Sequence, residues 1–252
     1  MKKNCMETKY VAFSTQKGGA GKTTMTVLIA SYLHYVKGYN VAVIDCDFPQ
    51  YSIMDMRKRD VEMTLSNDYY KQMAYRQMTA LDKKGYIILE SKPEEALENA
   101  ERLKKEPLDF IFFDLPGTVN SAGVLRTLSR MDYIFAPISA DRVVLTSTLR
   151  FVTNINENLI TVGRSDIKGL HLFWNMVDGR EKTELYGVYE KIISELGLNL
   201  MKTFVPDRKC FRRELPTSGK AIFRSTLFPA DKQLVSNSNL QELTEEMLSI
   251  IK

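Results

Sequence analysis

Residues 14–24 read STQKGGAGKTT, with three glycines and two lysines in eleven positions. Before it lies an apolar, β-rich run, YVAFST (10–15). After it comes KTTMTVLIASYLHYVK (22–37), a stretch of helical length that stops at Gly38. Strand, glycine-rich turn and helix form the context that a phosphate loop requires. Gly18, Gly19 and Gly21 let the backbone fold tightly, so that its N–H groups point at phosphate oxygens. Lys22 would reach the β- and γ-phosphates, Thr23 would put its hydroxyl on Mg²⁺, and the helix would aim its positive end at the nucleotide. Gly18, Gly19, Ala20, Gly21, Lys22, Thr23 and Thr24 are thus the candidate nucleotide contacts. The stretch also holds a second lysine, Lys17, for which a loop with one lysine has no use.

Outward from the loop, short apolar runs alternate with helical stretches. NVAVIDCD (40–47), GYIILE (85–90), LDFIFFDLPG (108–117), DYIFAPIS (132–139), GLHLFWNMV (169–177) and NLMKTFVP (199–206) read as strands. Helices are predicted near 22–37, 52–82, 93–106, 141–161, 183–196 and 231–251. Continuous apolar strands separated by helices predict an α/β fold, a mostly parallel twisted sheet covered on both faces. No linker, repeat or low-complexity segment interrupts the pattern, so residues 1–252 read as one P-loop domain. The 48–82 region carries Met54, Met56, Met63, Met73 and Met78, a composition that fits a mobile helical flap but reads better as packed helices.

Composition narrows the possibilities. The chain has 252 residues, 44% hydrophobic and 26% charged, as expected of a globular domain. No apolar run approaches the ~20 residues that span a bilayer. Glu7 and Lys9 break any apolar segment that could serve as an export signal, so the expected location is cytoplasmic. Cys5, Cys46 and Cys210 are scattered and form no metal-binding spacing, and two histidines, His34 and His171, are too few for a metal site. The net charge of +4 is mild, but residues 201–224 carry seven basic side chains against Asp207 and Glu214. A local excess of five positive charges is either a solvated face or a seat for an anionic partner.

Phosphoryl transfer also needs a group that holds an ion and one that orients the attacking water. In a parallel sheet both belong at carboxyl ends of strands, beside the loop. VAVIDCDFPQ ends in Asp45 and Asp47, and FIFFDLPG places Asp114 after four apolar residues.

KGGAGKTT resembles the deviant Walker A motif of the ParA/MinD group of P-loop ATPases, whose extra signature lysine matches Lys17. The resemblance implies that Lys22 serves its own ATP, while Lys17 crosses a homodimer interface to the ATP of the other subunit. It implies that Asp47 positions or activates the water and helps hold Mg²⁺ with Thr23, and that Asp114 is the Walker B aspartate. Asp45 reads as structural. Phe48 intervenes before Pro49 and Gln50, a departure from the family's D-x-D-P-Q segment. Pro116 and Gly117 match the start of the second switch. Asn175 matches an adenine-contacting asparagine, with Asp178 and Arg180 following, and backbone near Pro206 and Asp207 is expected to flank the adenine. Glu214, Pro216, Gly219 and Lys220 match a later stretch of the family, one residue further from Pro206 than usual.

The group has branches with different functions, and fold alone does not separate them. A membrane-binding tail of the MinD kind should be basic on its polar face. Here NLQELTEEMLSIIK pairs an apolar stripe (Leu240, Leu243, Met247, Leu248, Ile251) with Glu242, Glu245 and Glu246, so the tail is expected to dock on its own domain, with no membrane partner. Iron–sulfur relatives need cysteines that this chain lacks, and small-molecule kinases or ligases of the fold do not need Lys17. The ParA-like branch binds double-stranded DNA nonspecifically as an ATP dimer, is stimulated by a separate centromere-binding activator, and associates with the nucleoid. The resemblance therefore implies an ATPase driving partition of DNA on a plasmid, chromosome or conjugative element. Arg208, Lys209, Arg212, Arg213 and Arg224 are the candidate DNA contacts, with Arg180 and Lys182 behind them. The alternative is a positioning ATPase that carries a protein cargo without DNA.

Overall fold

A computed structural model describes residues 7–117, 121–180, 183–214 and 221–251. Seven strands form one parallel sheet: β1 (Lys9–Phe13), β2 (Val41–Asp45), β3 (Ile87–Glu90), β4 (Phe110–Asp114), β5 (Tyr133–Ile138), β6 (Gly169–Trp174) and β7 (Asn199–Leu200). Their order is β3-β2-β4-β1-β5-β6-β7, so β1 is central and pairs with β4 on one side and β5 on the other. The carboxyl end of β1, where the phosphate loop begins, is therefore flanked by the ends of β4 and β5.

Alternation along the strands builds two cores. Val11 and Phe13 of β1, Val41 and Val43 of β2, and Phe110 and Phe112 of β4 point to one face. There they meet α1 (Lys22–Tyr35), α2 (Ser52–Ser66), α8 (Lys232–Ser236) and α9 (Leu240–Ile250). Tyr10, Ala12, Ala42, Ile44, Ile111 and Phe113 point to the other, against α4 (Ala96–Leu103), α5 (Ala122–Leu128), α6 (Arg142–Ile155) and α7 (Thr183–Glu195). α1 is buried at every position from Met25 to Tyr35, which is why its sequence shows little amphipathic pattern: it is covered by the sheet on one side and by α2 and α9 on others.

The single helical stretch predicted at 52–82 is two helices, α2 and α3 (Asp68–Leu81). Asn67 separates them in an extended conformation and accepts a hydrogen bond from the Tyr69 N–H at 3.0 Å, an N-cap inside what reads as one polar, Met-rich run. Met63 and Met73 pack with Tyr70, Ile222, Leu227 and Phe228, so this region is packed. The stretch 231–251 likewise divides at Asn239, which adopts φ 56° between α8 and α9. α5 was not foreseen; at seven residues it is too short to show a period. The strand predicted at 199–206 pairs only at Asn199–Leu200, with a further bridge from Pro206 to Val177. α6 continues into one π turn, Asn156–Ile160, and Lys209–Arg212 form a 3₁₀ turn.

The carboxyl-terminal helix is docked, as its acidic face suggested. Leu240, Leu243 and Met247 are in the core, and Glu246 accepts from the backbone N–H groups of Lys202 and Thr203 at 2.7 and 2.8 Å. Among the described residues no helix is long and apolar enough to cross a membrane.

Candidate functional site

The loop between β1 and α1 wraps around its own helix end. Gly21 takes φ +92° as the residue before α1, and a Cβ there would lie 2.7 Å from Asn175 Nδ2. Only glycine meets both conditions. Asn175, buried at the end of β6, donates to the Ala20 carbonyl at 2.8 Å. Asn175 thus tethers the phosphate loop. Its own N–H donates to Ile138 O of β5 at 2.7 Å, so the loop is moored to the sheet.

The two lysines are disposed differently. Lys22 folds back under the loop, and its Nζ donates to the Lys17 carbonyl at 3.2 Å. Gly117 leaves room for it, since a Cβ there would come within 3.1 Å of that Nζ. Burial pushes the Lys22 ammonium below its ordinary range, and the charges of Asp114 and Asp47 pull it back up. The Lys17 side chain is half-buried and forms no ion pair among the described residues.

Asp114 ends β4 and is 1% exposed. Its Oδ2 accepts from Thr23 Oγ1 at 2.7 Å, whereas its Oδ1 is buried with no partner. Burial pushes this carboxyl up to about 7, with Asp45 and Asp47 adding to the rise and the Thr23 hydrogen bond and Lys22 opposing it. A buried carboxylate oxygen without a donor costs roughly 1–3 kcal/mol or more. A divalent cation held beside Thr23 would satisfy that oxygen and favour the charged form, so the donor set fits Mg²⁺. Among the described residues no three acidic, histidine or cysteine side chains form a metal cage.

Asp45 is structural. α2 starts after Tyr51, which has no capping side chain, and Asp45 supplies the missing acceptor from eight residues upstream. Its Oδ2 takes the N–H groups of Ile53 and Met54 at 2.9 and 3.0 Å. Burial raises its carboxyl and these bonds lower it again. The intervening loop holds Asp47 half-buried beside the site, with its carbonyl accepting from Gln50 and Tyr51 at 2.8 and 3.0 Å. Phe48 is 51% exposed, the Phe48–Pro49 bond is cis, and Lys92 Nζ stands 5.6 Å from the Phe48 ring centre.

Pro206 and Asp207 run beside the end of β6: the Asp207 N–H donates to Val177 O at 2.9 Å, two residues beyond Asn175. Asp178 and Arg180 clasp each other, with Nη2 to Oδ2 at 2.7 Å. Arg208, Lys209, Arg212 and Arg213 are exposed on and around the 3₁₀ turn and form no ion pair among the described residues. Arg224 corrects the sequence reading. Its guanidinium turns inward, donating from Nη1 to Thr24 Oγ1 at 3.0 Å and from Nη2 to Glu214, so it offers no free charge to DNA. Glu214 also accepts from Arg59 at 2.8 Å. No sequence signal pairs residues 24 and 224. Lys182, Pro216, Gly219 and Lys220 lie outside the described residues.

Comparisons with known proteins place the chain in a family and support the fold. The CbiA family, described as the CobQ/CobB/MinD/ParA nucleotide binding domain, matches residues 11–220. A relative, the uncharacterized protein BBD21 of Borreliella burgdorferi, is 34% identical over 87 residues, 34% of this chain and 35% of that protein. The match thus spans about a third of that relative's length. The structure of BB_S35 from Borrelia burgdorferi B31 bound to AMPPNP superposes with a TM-score of 0.62 at 16% identity, covering 97% of this chain and 98% of that one. A plasmid partition protein from Borrelia burgdorferi superposes at 0.56, also at 16% identity, with 97% and 98% covered. Identities this low speak for the fold, and the family rests on the match over 11–220: the chain belongs to the CobQ/CobB/MinD/ParA nucleotide-binding domain family.

Proposed function

We propose that this protein is a ParA-like ATPase whose ATP-bound homodimer binds double-stranded DNA nonspecifically and whose hydrolysis of ATP drives partition of DNA. The observation that carries the reading is the division of labour between the two lysines. Lys22 is folded beneath the loop toward Asp114 and Asp47, while Lys17 stands on the loop with no carboxylate of the described residues against its ammonium. In this reading Lys22 holds the nucleotide's own phosphates. Lys17 is the group left over for charge on a second copy's nucleotide, where a cation in trans stabilises the transferring phosphoryl group.

Asp47 orients the attacking water, a role that suits its half-buried place beside Lys22. Mg²⁺, bound by Thr23 with Asp114 behind it, would neutralise charge on the β- and γ-phosphates. Asn175 keeps the loop closed, and the backbone near Pro206 and Asp207 flanks the base. Arg208, Lys209, Arg212 and Arg213 form the DNA-facing patch and bind through phosphates, without reading sequence. A separate activator stimulates hydrolysis and so releases the dimer from DNA, and the ATP state is the one found on the nucleoid.

The test uses Asp47→Ala to slow hydrolysis. Light scattering with ATP and Mg²⁺ should show a dimer that is absent with ADP. That dimer should bind random-sequence duplex DNA, and the affinity should fall steeply between about 50 and 200 mM salt. A protein that stays monomeric with ATP sinks the proposal. A dimer that ignores DNA at both salt concentrations turns it into the cargo-positioning reading.

A further inference from the structure

Arg224 reaches the first turn of α1 from 200 positions away. That turn is already the positive end of a helix with unpaired N–H groups. α1 opens with Lys22, has no acidic residue in its first turn and no capping side chain. A guanidinium placed there opposes the helix dipole. Its Nε is also buried without a partner, although the side chain as a whole is 21% exposed. Both features are unfavourable in themselves, and the first is eased by negative charge in the loop.

We propose that Arg224 is a positioning residue for the nucleotide's phosphates, acting through the hydroxyl of Thr24. The proposal rests on the nucleotide reading above. Thr24 Oγ1 accepts from Arg224 Nη1, which leaves the hydroxyl's own hydrogen to be donated to a phosphate oxygen. A cation donating into a hydroxyl polarises it and strengthens the bond it gives. The guanidinium is held for this task from a second side, and its backbone is tied down as well. Nη2 donates to Glu214, whose second oxygen is fixed by Arg59 of α2. The Arg224 N–H donates to the Arg213 carbonyl at 3.0 Å.

A double-mutant cycle on the full chain, read as the dissociation constants of ATP and ADP, tests this. Arg224→Met and Thr24→Val should each weaken both nucleotides by about tenfold, the scale of one charge-assisted hydrogen bond. The double variant should be no weaker than Thr24→Val alone, because Arg224 has then lost the group it works through. A merely structural arginine would give additive losses, so additivity overturns the proposal, as does an Arg224→Met variant that binds ATP like the parent. Should Arg224→Met fail to fold, Arg224→Lys replaces it. It keeps the charge but cannot span Thr24 and Glu214 with one planar fork. A loss of a few fold that vanishes in the Thr24→Val background is then expected, and an additive loss overturns the idea. Failure of the parent protein to bind ATP would be a different result, sinking the nucleotide reading and this proposal with it.

Discussion

Two buried aspartates receive opposite treatment. Asp114, at the carboxyl end of β4, has one hydrogen bond and one orphaned oxygen. Asp60, in α2, is 3% exposed and accepts from Ser225 Oγ, Thr226 N–H and Thr226 Oγ1 at 2.9, 2.7 and 2.8 Å. Arg57 stands beside it, bonding Thr226 and the Tyr86 carbonyl. Burial raises both carboxyls, but at Asp60 three donors and a guanidinium push back, while at Asp114 two further carboxylates add to the rise. One region spends its polar groups on holding α2 to the segment 222–228. The other keeps capacity unspent at the strand ends. An unsatisfied buried acceptor in an otherwise well-paired molecule marks where a ligand belongs.

That contrast can be broken most directly at the satisfied site. Asp60→Ala strands three buried donors and the Arg57 charge, and should cost about 3–5 kcal/mol in urea unfolding. Nucleotide affinity of the folded fraction should fall less than in Arg224→Met, since the loop keeps its own ties to β5 and β6 and Arg224 keeps its bond to Thr24. A near-neutral Asp60→Ala would mean that the two aspartates do not differ in the way the hydrogen bonds imply.

Asp114→Asn should do the reverse. ATP turnover should fall at least ~100-fold, about 2.7 kcal/mol of transition-state stabilisation, with stability at pH 7 unchanged or raised. The pH dependence sharpens this. A carboxyl at about 7 when folded and near its ordinary range when unfolded binds more protons in the native state. Its contribution to stability is therefore full below the unfolded pKa and is lost as pH rises toward 7. Thermal melts from pH 4 to pH 8 should show a decline that is shallower in Asp114→Asn. An identical slope in the two proteins would argue against the raised carboxyl.

Gly21→Ala should act on the loop alone. It forces a Cβ into the φ +92° position and against Asn175 Nδ2, at a cost of about 1–3 kcal/mol. The loss should appear in ATP affinity by calorimetry as well as in the melting temperature. The smallest effect is expected on the surface. Arg212→Ala should change stability by no more than ~0.5 kcal/mol, yet lower the salt slope of DNA binding by about one unit. A slope unchanged by Arg212→Ala would move the DNA-facing patch elsewhere.

Much of the site was legible because it is local. Gly18 to Thr24 sit on one turn, and Asp47 and Asp114 announce themselves as carboxylates ending apolar strands. The split of 52–82 at Asn67 was missed because one capping side chain decides it within an otherwise continuous helical composition. Arg224 was misjudged because a basic residue in a basic stretch carries no sign of whether it faces water or folds inward.

The phosphate loop, the alternation of strands and helices, the two-faced burial of the sheet and the docking of the acidic tail could be read along the chain. Those follow from periodicity, glycine placement and strand-end chemistry, which a short window contains. Only the tertiary structure decided that Asn175 moors the loop, that Asp45 caps α2, that Asp60 locks α2 to the segment 222–228, and that Arg224 stands behind Thr24. Each of these is a polar group finding its partner across the fold, and hydrogen-bond satisfaction inside a core depends on how elements pack, which no local pattern records.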